Sequence, residues 1–281
     1  MIRISQIKLR PGQRPEELER KIRKVLRLAE KEEFQWRIAK SSIDARKKPD
    51  IFISYTVEVE GLAEQAVMKR CRDKSAGIAE PIRYRFPPSG IRELSGRPVI
   101  VGMGPAGLFC GYMLARYGYR PILLERGREV EERRRAVETF WETGILDPEC
   151  NVQFGEGGAG TFSDGKLNTL VKDKEGRNQE VLRILAEEGA PESILYEGKP
   201  HIGTDILSKV VKHMRQTIEA CGGEVRFRTK MEKLLVKDGK TAGILVEENT
   251  DTPRQEIIET DVVVLAIGHS ARDTFQMLYD S

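Results

Sequence analysis

Val99-Ile-Val-Gly102-Met-Gly104-Pro105-Ala106-Gly107-Leu-Phe and, one helix further on, Arg120-Pro-Ile-Leu-Leu-Glu125-Arg126-Gly127 are the stretches that decide the fold. Val99 to Val101 is a short apolar run of the kind that fills a parallel sheet covered on both faces. The glycines after it follow the pattern G-x-G-x-x-G, and a helix from about Ala106 to Tyr117 opens on them, with Gly118 suited to its C-terminal cap. Glu125 closes the next strand 23 residues after Gly102, close to the spacing of about 20 in dinucleotide-binding βαβ units. Each part has a physical task. Gly102 permits the tight turn, Gly104 lets the backbone approach a pyrophosphate, and Gly107 lets helix and strand pack closely. Pro105 and Ala106 open the helix, whose free N–H groups and positive dipole end face the phosphates. Glu125 is placed to accept hydrogen bonds from ribose hydroxyls, and its charge disfavours a 2′-phosphate.

Working outward, Glu129 to Thr143 is charged and predicted helical, and Gly155 to Lys166 is rich in glycine. Such a run lets backbone lie against a flat or anionic ligand. Thr204 is expected to cap a helix ending at Cys221, and Val225 to Val246 reads as strands around a Lys237-Asp-Gly-Lys240 hairpin turn. Asp261 to Ile267 is another buried strand. Gly268, His269 and Arg272 follow it, where open α/β sheets place their ligands, and Ser270 with Asp273 is expected to form a capping box.

The front of the chain reads as strand, helix, strand, strand, helix, strand: a ferredoxin-like α+β module over residues 1–90, with its fourth strand at Ile82 and Tyr84. Pro87-Pro-Ser-Gly90 is a linker signal, and the second domain spans 97–281. Composition agrees with a globular protein: 281 residues, 39% hydrophobic, 32% charged, net charge +3. Residues 1–95 hold 22 basic and 14 acidic side chains, leaving 25 and 30 to the remainder. Without an aromatic stacking motif, the basic half reads as solvated surface and argues against nucleic acid. The four cysteines form no C-x-x-C pair, and no metal constellation is visible. Val262 to Ile267 is too short to span a bilayer, so a cytoplasmic location with reduced thiols is the expectation.

Together with the glycine turn and Leu124-Glu-Arg-Gly127, the runs Asn151-Val-Gln-Phe-Gly-Glu-Gly-Gly-Ala-Gly-Thr-Phe-Ser-Asp-Gly-Lys-Leu167 and Leu265-Ala-Ile-Gly-His-Ser-Ala-Arg-Asp-Thr-Phe275 resemble bacterial FAD-dependent dehydrogenases of uncharacterised function, a branch of the flavoproteins with a glutathione-reductase-type FAD domain. Ala39-Lys-Ser-Ser-Ile-Asp-Ala-Arg-Lys-Lys48 resembles that family's front module. The resemblance implies a Rossmann-like domain, a parallel sheet with a β-meander, binding FAD. It puts the pyrophosphate at Gly102 to Gly107, the ribose at Glu125 and adenine near the Met231 backbone, with Arg126 also among the cofactor-binding residues. Gly157, Gly158, Gly160, Thr161, Phe162 and Ser163 would face the flavin. Family members are longer, so the chain reads as truncated after the final helix, with a missing C-terminal half or a second copy as a partner.

The expected function is flavin-mediated hydride or electron transfer on a small-molecule substrate, with NAD(P)H a candidate electron donor. Lys166 and His269 are the candidate catalytic groups. Two alternatives stay open at this point: an NAD-dependent dehydrogenase, and a non-catalytic protein binding nucleotide or RNA through its basic front module.

Overall fold

The computed structural model describes residues 1–281 apart from Asp164, Asn168, Leu170, Asp251 and the Pro15 side chain. Asp164 belongs to the glycine-rich run singled out above and lies outside the described residues. The chain divides into two compact units. The first comprises Met1–Phe86, Lys166–Ala186 and Pro191–His201, and the second Pro87–Gly165, Glu187–Ala190 and Ile202–Ser281.

The first unit begins with β1 (Ile2–Leu9), α1 (Pro15–Leu26), β2 (Gln35–Lys47), β3 (Asp50–Glu60), α2 (Glu64–Arg70) and β4 (Ala76–Ile78). Its sheet runs β2-β3-β1-β4, antiparallel throughout. Ile2, Ile4, Ile7 and Leu9 all point inward although their spacing breaks the two-residue period of a strand. A bulge resolves the conflict. The β1–β3 register shifts between Ile4 and Ile7, and Gln6 takes a φ of 61°. Leu18, Ile22 and Leu26 of α1 close over these residues, with Val57, Val59 and Val67.

The fourth strand is not at Ile82 and Tyr84, as expected, but at Ala76–Ile78. The partner explains the difference. Ala76–Ile78 already occupies the free edge of β1 opposite Ile2 to Ile4, and Ala79 N–H donates to Met1 O at 3.0 Å.

The second unit opens with β5 (Val99–Val101), α3 (Pro105–Arg116), β6 (Ile122–Leu124) and α4 (Val130–Thr143), then a 3-10 turn at Gly158–Phe162. Next come α5 (Arg177–Glu187), most of which belongs to the first unit, and α6 (Thr204–Ala220). The strands β7 (Glu224–Arg226), β8 (Thr229–Lys237), β9 (Lys240–Glu248), β10 (Arg254–Glu259) and β11 (Val263–Leu265) follow, and α7 (Arg272–Tyr279) ends the chain. The parallel sheet has the order β11-β5-β6-β7, and β10-β9-β8 is an antiparallel meander. Asp238 and Gly239, both at positive φ, form the tight turn between β8 and β9. Val99, Val101, Ile122 and Leu124 pack with Met231, Ile244, Val246 and Ile258 of the meander. The unit is therefore mixed α/β around a parallel sheet. β5 is its pivot, because β6 lies on one side and β11 returns to the other, leaving a crevice at the C-terminal end of β5.

Two expected caps are replaced. Gly203, not Thr204, is the N-cap of α6, and Thr204 is already helical, its carbonyl accepting from Ser208 Oγ at 2.8 Å. The N-cap of α7 is Ala271, so Ser270 and Asp273 form no capping box, and both side chains turn to tertiary partners instead.

Candidate functional site

The turn between β5 and α3 allows only glycine at its contact points. A Cβ on Gly107 would lie 1.8 Å from Gly102 O, and one on Gly102 would lie 2.5 Å from Ala266 O. Gly102 also has a φ of +99°, which L side chains rarely adopt. Gly104 is different. The nearest atom to its missing Cβ is Gly158 Cα at 4.0 Å, so the turn is bare on that side. Leu108 N–H is bonded back to Gly104 O at 2.9 Å. The Ala106 and Gly107 N–H groups precede it in the first turn, where a helix leaves its donors without intrahelical partners.

Glu125 is buried beside this turn. Its Oε2 accepts from Met103 N–H at 2.8 Å, and its Oε1 accepts from Gly127 N–H and Gly155 N–H, each at 2.9 Å. A carboxylate has about four acceptor positions. One is left, on the oxygen that holds only Met103. The carboxylate thus ties the glycine turn to the loop beginning at Asn151 and keeps capacity for one hydroxyl.

That loop is the second wall. Gly158 sits at a φ of +62°, where a Cβ would come within 3.0 Å of Gly104 Cα, and Gly157 N–H donates to Met103 O at 2.9 Å. Between the walls lies a cavity of about 520 Å³, within the range of roughly 300–1,000 Å³ usual for small-molecule and cofactor sites. Gly102, Gly104, Pro105, Ala106, Glu125, Arg126, Gly158, Met231, Gly268 and His269 line it. The remaining expected residues do not. Gly107 is spent on helix–strand packing, and Gly157, Gly160, Thr161, Phe162 and Ser163 lie outside the lining. Lys166 belongs to the first unit, bridged to His201, and Arg272 is outside the lining.

At the mouth, charge is organised around α7, whose Thr274, Phe275 and Leu278 line the cavity. Arg126 lies over the Phe154 ring, 4.2 Å from its centroid, and spans Glu149 (2.7 and 2.8 Å) and Asp273 (2.9 and 3.0 Å). Lys230 reaches the same Asp273 at 3.2 Å. Burial would lower the Arg126 guanidinium, but its two carboxylates outweigh that and hold it above its ordinary value. Burial would likewise raise Asp273, yet Arg126 and Thr274 N–H hold it well below the usual carboxylate range. His269 is exposed, its Nε2 3.3 Å from Ser270 Oγ, which in turn donates to Gln153 Oε1 at 2.9 Å.

Two buried charged positions beside the site escape a reading of the sequence. Arg133, wholly buried, lies under the 151–161 loop, and Glu156 accepts from Val130 N–H at the start of α4 and pairs with Arg215 at 2.8 Å. Burial raises the Glu156 carboxyl, against the opposing pull of Arg215. The signal for Arg133 was its place on the same helical face as Val130 and Val137, both buried.

Residues 1–60 match a family described as "Domain of unknown function (DUF8436)". Over 278 residues the chain is 47% identical to an uncharacterized protein of Clostridium beijerinckii, a match covering 99% of this chain and 50% of that protein. The chain thus spans half the length of this relative. Among solved structures it is similar to Thermovibrio ammonificans THI4 (20% identity, TM-score 0.44, covering 66% of this chain and 62% of that one). It is also similar to the glycerol-3-phosphate dehydrogenase from Bacillus halodurans complexed with FAD (15%, TM-score 0.40, 65% and 36%). At these identities and scores neither structure carries a role over to this chain. Among the described residues, no helix is long and apolar enough to cross a membrane, and no group of three or more His, Cys, Asp or Glu could hold a metal ion.

Proposed function

We propose that this chain holds the FAD of a flavin-dependent oxidoreductase, with its second unit as the cofactor-binding domain and its βαββαβ front module as a ferredoxin-like appendage. The observation that carries the reading is Glu125. It is buried at the end of β6, gripped by the glycine turn, with one acceptor position left beside a cavity that the turn itself lines. An adenosine diphosphate moiety fits these residues. The bare side of Gly104 and the first-turn N–H groups of α3 suit a diphosphate. Glu125 suits a ribose hydroxyl, and the buried Met231 on β8 gives an apolar surface for adenine. When bound, FAD would supply the hydride or electron chemistry. The protein's own residues bind and orient it, and Phe275 and Leu278 of α7 shield it from water.

NAD shares the adenosine diphosphate. The preference for FAD rests on the sequence runs 151–167 and 265–275, and NAD(P)H enters the reading only as a candidate electron donor. The nucleic-acid alternative is not favoured: no aromatic stacking motif accompanies the front module's charge, and part of that charge is paired locally, Arg3 and Arg37 with Glu58 and Lys8 and Arg46 with Asp44. His269 stays as the candidate proton-handling group, because it lines the cavity and Lys166 does not.

Titration of the purified protein with FAD, NAD and NADP, followed by thermal shift and by quenching of flavin fluorescence, tests the reading. Saturable stabilisation by FAD above that by NAD is expected. Stabilisation by NAD alone would move the assignment to the runner-up, and no response to any of the three would end it.

A further inference from the structure

Arg133 is 0% exposed and faces no carboxylate. Its Nε donates to Asn151 O at 2.9 Å and its Nη2 to Val152 O at 2.9 Å. Its Nη1 reaches Glu156 O at 2.7 Å, Gly158 O at 2.9 Å and Thr161 Oγ1 at 3.0 Å. One planar cation therefore gathers five acceptors from a single loop. Its guanidinium also lies 4.8 Å from the Phe162 ring centroid. Burial pulls its pKa down to about 10, with Glu125 opposing, so it is still charged near neutrality. A buried cation held only by carbonyl and hydroxyl oxygens is costly to keep; four of its five acceptors are loop carbonyls, and one of these residues, Gly158, lines the cavity. Gly155 makes room for it: a Cβ there would lie 2.3 Å from Arg133 Cδ. The same Gly155 donates its N–H to Glu125, and Gly158, gripped through its carbonyl, is the residue packed against Gly104.

We infer that Arg133 is a positioning residue for the dinucleotide site. It fixes the 151–161 loop so that Gly155 reaches Glu125 and Gly158 closes on the glycine turn, and it does so without touching the ligand. The inference rests on the FAD reading for its ligand, but the loop geometry can be read independently.

The test uses Arg133→Lys and the milder Thr161→Val, which nearly keeps the shape but removes the acceptor for Arg133 and the donor to Gly158 O at 3.0 Å. FAD affinity, thermal stability without added FAD, and hydrogen exchange of the 151–161 amides are measured on the full chain. A positioning role predicts faster exchange at Gly155 to Gly158 in both variants. It also predicts FAD binding weaker by about tenfold or more in Arg133→Lys, whose ammonium cannot span five acceptors, and by a few-fold in Thr161→Val. Thr161→Val should do this with a small loss of melting temperature and with faster exchange confined to the 151–161 amides, whereas a general structural role would speed exchange throughout the unit. Wild-type affinity and wild-type loop exchange in Thr161→Val, and in Arg133→Lys if it folds, would overturn the inference. If the wild-type protein binds no FAD, the proposed function falls, and hydrogen exchange alone decides whether Arg133 sets the loop.

Discussion

At the scale of single residues, the site turns on the difference between a carboxylate and its amide. Glu125 accepts from three backbone N–H groups and donates nothing. In Glu125→Gln, one of those N–H groups would meet an NH₂. The isosteric change should therefore cost stability of about 1–3 kcal/mol, the penalty of a buried donor left unmatched. It should weaken FAD as well, since the remaining acceptor position is lost or redirected. Urea unfolding and FAD titration check this, and an unchanged midpoint with unchanged affinity would remove Glu125 from both roles. Glu125 was legible in the sequence because its task is local: a carboxylate at the end of the second strand of the βαβ unit. Arg133 was not. In a run of Glu and Arg it looks like solvated helix, and only its packing partners reveal that it points inward.

At the scale of elements, α7 is fastened to the cavity by charge as well as by apolar contact. Asp273 is shared by Arg126 and Lys230, and its folded-state pKa is depressed. A depressed carboxylate contributes stability above its ordinary value of 3.8 and loses it as the pH falls below that. The contribution is modest, because the Asp273 side chain is 45% exposed. Hydrogen exchange should show α7 amides losing protection in acid before those of β5 and β6, and Asp273→Asn should show the same loss near neutrality. The variant should also release FAD faster, since α7 covers one side of the cavity. Equal protection of α7 in wild type and variant would refute the anchor. The strands of this unit were legible because their apolar runs and turn residues are contiguous. The capping box expected at Ser270 and Asp273 was not formed, because Gln153 and Arg126, distant in sequence, offered those side chains better partners.

At the scale of the whole molecule, the division into units cuts across the linear order. One unit boundary falls between Phe86 and Pro87, and segments 166–186 and 191–201 join the first unit. No local pattern announces this, since the pairing is between residues more than a hundred positions apart. Ser41 on the outer edge of β2 donates its N–H to Tyr196 O at 2.6 Å and accepts from Gly198 N–H at 2.8 Å. Residues 1–90 expressed alone would lose that cover and expose an edge that carries Ile43, already largely exposed. Such a fragment should self-associate with rising concentration. Supplying residues 166–201 within the full chain should suppress this. Sedimentation of both species tests the expectation, and a monodisperse fragment at high concentration would contradict it.

The grip on Glu125 also bears on how fast the site can be filled. Three amides from separate parts of the chain fix the acceptor within the protein's own fold, so a guest arriving there finds its docking partner in place. Rapid mixing with excess FAD should then give single-exponential traces whose observed rate climbs in proportion to concentration. A rate that levels off would instead reveal a slow opening step ahead of capture.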